Sequence, residues 1–187
     1  MMLQRRKVVS ALLKDRKKLL VVAGLGSTAW DCTAAGDHDL TFPLWGAMGQ
    51  AAMIGLGLAL AQPKRRVLVI TGDGEMLMGL GSLATIGVHK PANLTVVVID
   101  NERYGETGMQ HTHTAHGVDL AGVARACGFR VFDFKDHRNA IHEAPGPNFA
   151  QVKVAAEKIP LVLPPREGAL LKARFRRALL GVKADLQ

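Results

Sequence analysis

The sequence predicts an α/β fold, a three-layer sandwich around a mainly parallel sheet. Three features predict it. The apolar runs Val67-Leu68-Val69-Ile70 and Val96-Val97-Val98-Ile99 are continuous rather than alternating, which marks strands buried on both faces. Each run ends in Gly, Asp or Asn, where a strand leaves the sheet for a loop. Helix-length segments separate the runs, so strands alternate with crossover helices. At 187 residues the chain has room for one domain with a full hydrophobic core over about residues 5–160, then a linker and basic C-terminal helix over 161–187.

In order along the chain, Leu3 to Lys17 reads as an amphipathic basic helix and Leu19 to Ala23 as a strand ending at Gly24-Leu25-Gly26-Ser27. A polar loop, Trp30 to Asp39, and the short stretch Leu40 to Trp45 follow. A helix rich in Ala and Gly spans Gln50 to Gln62, and the strand from Val67 runs into Gly72-Asp73-Gly74. Met78 to His89 is expected as one helix, stopped by Pro91. The strand from Thr95 reaches Asp100-Asn101 and a long polar loop, Glu102 to Gly117. Leu120 to Cys127 is a helix stopped by Gly128; Val131 to Phe134 and Asn148 to Val154 are strands. Pro160 to Glu167, with three prolines, is a linker or edge segment before a helix over Leu170 to Leu180.

In open parallel sheets ligands bind outside the carboxyl ends of the strands, so Asp73 and Asn101 are expected to face one bound ion. One charged and one neutral oxygen donor suit a Mg²⁺ that keeps further positions for phosphate and water. Neither suits a structural zinc site. The alternative is that Gly72-Asp73-Gly74 is only a tight turn and Asp100 a helix cap.

Gly72-Asp73-Gly74, then room for one helix and one strand, then an Asn followed by Tyr104-Gly105, resembles the binding motif of thiamine diphosphate (ThDP) enzymes. The resemblance implies the diphosphate-binding domain of that fold. It makes Asp73, Asn101 and the backbone carbonyl of Arg103 the Mg²⁺ ligands, with diphosphate oxygens and water completing the shell. Asp100 stands where the family usually has the first of two asparagines, which is usually not a ligand, so a change in the hydrogen bonds behind the ligands is expected.

Upstream, Leu44-Trp45-Gly46-Ala47-Met48-Gly49 is similar to the family's Gly-x-hydrophobic-Gly element. The resemblance implies that Gly46, Ala47 and Met48 meet the cofactor, the Gly46 carbonyl accepting from the pyrimidine amine and Met48 propping the cofactor into its bent shape. Glycine lets backbone approach a flat ring, and an unbranched thioether can wedge under it without a polar demand. Close packing of a helix N-terminus, with Met48 as core filler, is the alternative for these residues alone. Gly72, Gly74, Tyr104 and Gly105 complete the implied cofactor contacts, and Glu75 caps the next helix or touches the cofactor edge.

Gly24-Leu25-Gly26-Ser27-Thr28-Ala29 also fits G-x-G-x-x-A, the dinucleotide fingerprint. A full fingerprint opens a helix and leads to a strand with an acidic end, whereas Asp31 to Phe42 is polar, short and turn-rich. The loop is instead expected to line the diphosphate end of the site through its amides.

ThDP enzymes need a second domain that supplies an activating glutamate, for which this length leaves no room. The chain is therefore expected to be half of an active site, completed by a pyrimidine-binding α subunit. Gly79 to Ile86 and Tyr104-Gly105-x-Thr107-Gly108-x-Gln110 look like segments of the sulfopyruvate decarboxylase β subunits and their phosphonopyruvate decarboxylase relatives, over residues 5 to 155. That resemblance implies a carboxy-lyase acting on a small anionic 2-oxo acid in an α2β2 or larger heteromer. The same Mg²⁺ site would serve a carboligase of acetolactate synthase type, an oxidative acyl transferase or a non-catalytic ThDP-binding protein.

His111 and His113 are the candidate catalytic side chains, able to donate a proton or bind an anionic tail. A zinc pair or an exposed loop is the alternative. His38, His89, His116, His137 and His142 have no comparable context and are expected at the surface. The net charge of +8 comes from scattered clusters with almost no interleaved aromatics, which fits solvated faces or attraction of anionic substrates rather than nucleic acid. Cys32 and Cys127 show neither CxxC spacing nor a disulfide framework, and no run is long enough to span a membrane. A cytoplasmic location is the expectation.

Overall fold

The computed structural model describes residues 2–134 and 145–186. Six strands form one parallel sheet: β1 (Leu20–Ala23), β2 (Thr41–Pro43), β3 (Val67–Gly72), β4 (Leu94–Asp100), β7 (Arg130–Val131) and β8 (Asn148–Lys153). Their order is β2-β1-β3-β4-β8-β7 and every pairing is parallel. A separate antiparallel hairpin, β5 (Arg103–Tyr104) with β6 (Gln110–His111), rises from the loop after β4.

Both faces of the sheet are covered, which is why the central strands read as unbroken apolar runs. On one face α1 (Arg5–Leu13) and α2 (Ser27–Ala34) meet Val21, Leu68, Ile70, Val97 and Ile99. On the other, α3 (Ala51–Ala61), α4 (Asp73–Met78), α5 (Ser82–His89), α6 (Leu120–Ala126) and α7 (Gly168–Leu180) meet Val22, Val67, Val69, Val96 and Val98. The period-two division of β3, Val67 and Val69 to one layer and Leu68 and Ile70 to the other, is what a strand requires.

Four expectations are corrected. The first half of the polar stretch from Trp30 is helix α2, in which Asp31 is buried against Arg5 (2.6 Å) and Arg6 (3.0 Å) rather than solvated. That ion pair also removes Arg5 from the basic clusters expected to be solvated; it is 4 % exposed. The predicted helix over Met78 to His89 is shorter, running from Ser82 as α5, because Met78 ends α4, which starts at Asp73, and the chain turns at Gly79 to Gly81. The polar loop after Asn101 holds the β5–β6 hairpin and a 3-10 turn, His113–His116.

The segment after β8 is anchored as well as irregular. Arg6 Nη2 donates to the carbonyl of Pro160 (2.7 Å) and Trp45 Nε1 to that of Pro165 (2.7 Å). Phe175 of α7 meets Phe42 edge-on, ring centroids 5.6 Å apart, and fixes the C-terminal helix on β2.

Candidate functional site

The chain passes from β1 to β2 on one side and returns to β3 on the other, so the sheet order reverses between β1 and β3. A crevice opens at the carboxyl ends of strands around such a point. There a cavity of about 500 Å³ is lined by Leu25 and Ser27 after β1, Gly72 to Glu75 after β3, and Asn101 and Arg103 to Met109 after β4. Met48, from the turn before α3, lines it too. The structure thus brings together Met48, Gly72, Asp73, Gly74, Glu75, Asn101, Arg103, Tyr104 and Gly105. Gly46, Ala47, His111 and His113 are exposed and outside this lining. The His111 ring faces that of His116, centroids 5.6 Å apart. His137 and His142 lie outside the described residues.

Asp73 opens α4 and is 2 % exposed. Its Oδ2 accepts from Thr112 Oγ1 (2.5 Å) and, at longer range, from Thr114 Oγ1 (3.4 Å). Thr114 Oγ1 donates to Asp100 Oδ1 (2.8 Å), and the two threonine hydroxyls lie 2.9 Å apart. Two hydroxyl protons thus serve more than two oxygen–oxygen contacts, so this network is rich in acceptors. Burial pushes the Asp73 carboxyl above its ordinary value, and the Asp100 charge adds to the rise, while the Thr112 bond and nearby backbone N–H groups oppose it.

Asp100 is fully buried and far from a simple cap. Its Oδ2 accepts from Gln151 Nε2 (2.6 Å) and from Lys153 Nζ (2.9 Å), both on β8, and its Oδ1 also accepts from the N–H of Glu102 (3.1 Å). Asn101 Oδ1 accepts from the N–H of Arg103 (3.0 Å). Two consecutive side chains therefore each bind the amide two residues on, which holds the chain in a tight turn through Glu102 at φ 61°. That turn places Arg103 beside Asp73 and Asn101 in the cavity wall.

The glycines here are needed for close approach. A Cβ on Gly74 would stand 2.5 Å from Cε1 of Tyr104, so the second glycine of the motif lets the hairpin lie on α4. Gly49 has φ +89°, and its carbonyl touches the position a Cβ of Gly79 would occupy. The turn before α3, which carries Met48, is thereby locked against the α4–α5 junction.

Glu75 does not cap α4. It is 4 % exposed, and its Oε2 accepts from Thr71 Oγ1 (2.7 Å). Burial raises its carboxyl above the ordinary value; the Thr71 bond and the N–H groups of Ala51, Leu25 and Gly49 oppose that rise. Its Oε1 is buried and without a hydrogen-bond partner.

Sequence reasoning missed several site residues. Thr112 and Thr114, which join the two carboxylates, are carried by the hairpin and the 3-10 turn, and their x-Thr-x-Thr alternation was the one available signal. Glu157 to Ile159 and Leu161 line the cavity from the irregular segment, for which no local pattern exists. The Gly24 to Ala29 loop does open a helix and does lead to a strand, contrary to expectation. What the dinucleotide fingerprint lacks is the acidic strand end: β2 stops at Pro43.

Among the described residues no three His, Cys, Asp or Glu side chains gather as a metal cluster, and no helix is long and apolar enough to cross a membrane.

Residues 26–154 match the thiamine pyrophosphate enzyme family, C-terminal TPP binding domain, and the chain belongs to that family. Within it, the chain is similar to sulfopyruvate decarboxylase subunit beta of Methanothermobacter thermautotrophicus, 36 % identical over 99 % of this chain and 100 % of that one. It is 48 % identical to phosphonopyruvate decarboxylase of Streptomyces viridochromogenes over 59 % of this chain, a match that spans 28 % of that longer protein. The fold is that of the benzoylformate decarboxylase of Polynucleobacter necessarius, with a TM-score of 0.68 at 19 % identity over 83 % of this chain and 34 % of that one.

Proposed function

We propose that the chain is the cofactor-binding subunit of a heteromeric, ThDP- and Mg²⁺-dependent decarboxylase of small anionic 2-oxo acids, of the sulfopyruvate or phosphonopyruvate kind. The observation that carries the reading is the convergence of Asp73, Asn101 and Arg103 on one cavity at the sheet's reversal point, in a chain that matches a β subunit from end to end. A single buried carboxylate, a carboxamide and a backbone carbonyl fit an ion that draws its remaining ligands from phosphate and water. The acceptor-rich surroundings of Asp73 favour a cation beside its carboxylate.

Bound here, the cofactor supplies the electron sink that lets a 2-oxo acid lose CO₂. The protein's part is to hold and orient. Asp73 and Asn101 fix the ion, Arg103 adds its carbonyl, and Gly72, Gly74 and Tyr104 shape the wall beside the diphosphate. Met48, half-buried at the cavity edge, props the ring system, and Gly46 and Ala47, exposed outside the lining, meet the part of the cofactor that reaches toward the partner. The activating glutamate comes from a pyrimidine-binding α subunit, in an α2β2 or larger assembly in the cytoplasm. His111 and His113, exposed outside the cavity, take part in proton transfer or anion binding from the rim that the partner covers.

Calorimetry on Asp73→Ala tests the metal assignment: Mg²⁺-dependent ThDP binding disappears, and wild-type affinity would refute it. The purified chain alone is expected not to decarboxylate, and turnover without a partner would overturn the split site. Alanine at His111 or His113 lowers turnover more than cofactor affinity; unchanged kinetics in both variants would return them to the surface.

A further inference from the structure

Two carboxylates crowd the loop that the proposed reading gives to the diphosphate. Glu75 lies under Gly24: a Cβ on that glycine would collide with Oε2. Glu106, reaching across from the hairpin loop, puts Oε1 2.9 Å from where a Cβ on Gly26 would stand. Both glutamates line the same cavity as Asp73 and Asn101. Between them, Gly24-Leu25-Gly26 leads into α2, and backbone N–H groups at a helix start attract anions.

Glu75 stands on the floor: its Oε2 accepts from Thr71 Oγ1, its Oε1 is buried with no hydrogen-bond partner, and the backbone N–H groups of Ala51, Leu25 and Gly49 favour its charge. A diphosphate carries more acceptor oxygens than a carboxylate and could meet donors from both loops together. We propose that Glu75 and Glu106 are internal competitors for the cofactor's diphosphate, Glu75 standing among the loop amides on the floor of its seat and Glu106 beside Gly26 at the mouth, both giving way as it enters. This chain therefore holds its cofactor more weakly than its amide donors alone would allow, and the glutamates set how readily the cofactor exchanges. The inference rests on the cavity being the ThDP site.

The test is calorimetry of the full chain with Mg²⁺ and three probes: ThDP, inorganic pyrophosphate and thiamine, which lacks the phosphates. Glu75→Gln and Glu106→Gln keep size and remove charge. Each is expected to bind ThDP and pyrophosphate at least ~5-fold tighter, a modest gain for removing a like charge at contact range, with thiamine unchanged. Unchanged or weaker ThDP affinity in both variants, against measurable wild-type binding, overturns the inference and leaves the cofactor reading intact. Wild-type chain that binds neither ThDP nor pyrophosphate overturns both. Should melting curves show Glu75→Gln to be unfolded, the exposed Glu106→Gln decides by the same outcomes.

Discussion

Thr112→Val isolates the bond that holds Asp73. Thr112 is fully buried, and its hydroxyl donates to Asp73 Oδ2 at 2.5 Å and touches Thr114 Oγ1 at 2.9 Å. Valine keeps the branched shape and removes the donor. A hydrogen bond to a charged group contributes about 1.5–3 kcal/mol, and the added methyl returns about 0.8 kcal/mol of burial. The net cost is therefore about 1–2 kcal/mol, since Thr114 at 3.4 Å is too distant to replace the lost donor fully. For a domain of this size that lowers Tm by roughly 2–8 °C. Thermal unfolding followed by circular dichroism measures it, with Thr112→Ser as the control that restores the hydroxyl. Calorimetry of the same variants with Mg²⁺ and ThDP should show weaker binding for valine and recovery for serine. A Thr112→Val protein as stable as wild type, with unaltered Mg²⁺-dependent affinity, would refute the claim that this hydroxyl positions the carboxylate.

Cys32 is 1 % exposed and burial pushes its thiol up to about 12, so a thiol reagent at pH 8 should modify Cys127 in the native chain and reach Cys32 only after denaturation; two reactive thiols in native protein would contradict this. Gly74→Ala drives a methyl into the Tyr104 ring and is expected to cost about 1–3 kcal/mol and to weaken ThDP binding, measured by melting and calorimetry; unaltered melting and binding would show that the hairpin does not lie there. The Arg174 hydrogen bond holds the Asp37 carboxyl below its ordinary value of 3.8, so its contribution is present above that pH and is lost as pH falls through the lowered value. Amide protection in α7, taken relative to the intrinsic exchange rate at each pH, should fall on acidification in wild type and be less pH-dependent in Asp37→Asn; identical protection profiles would remove the link.

The sheet was legible because burial on both faces leaves a clear mark: Val67 to Ile70 of β3 and Val96 to Ile99 of β4 are unbroken apolar runs. The turn residues that end them were legible for the same local reason, and they supplied the core of the site. What stayed hidden depends on partners distant in sequence. Asp31 looked like loop polarity until Arg5, 26 residues away, was seen to neutralise it. The start of α4 was hidden because Gly72-Asp73-Gly74 spells a turn, whereas Asp73 and Gly74 are the first helical residues. Glu157 to Leu161 reach the cavity because Pro160 and Pro165 are held by Arg6 and Trp45, contacts that no periodicity encodes.

Asp100 shows how a departure from a motif can be absorbed. An aspartate in place of an amide brings a second negative charge into a buried site beside Asp73, and a buried charge without a partner is costly. Lys153 meets Asp100 Oδ2 at 2.9 Å and reaches Glu102 at 2.6 Å, so the charge is offset by a side chain whose stem leaves the sheet edge for water. Gln151 and Thr114 then satisfy the remaining oxygen positions. β8 pairs with β4 in register at Asp100 and Lys153, so the sheet itself delivers the compensating cation to the residue before Asn101. The cost of an extra carboxylate is thus offset through strand pairing, and Asn101 lines the cavity with Asp100 before it.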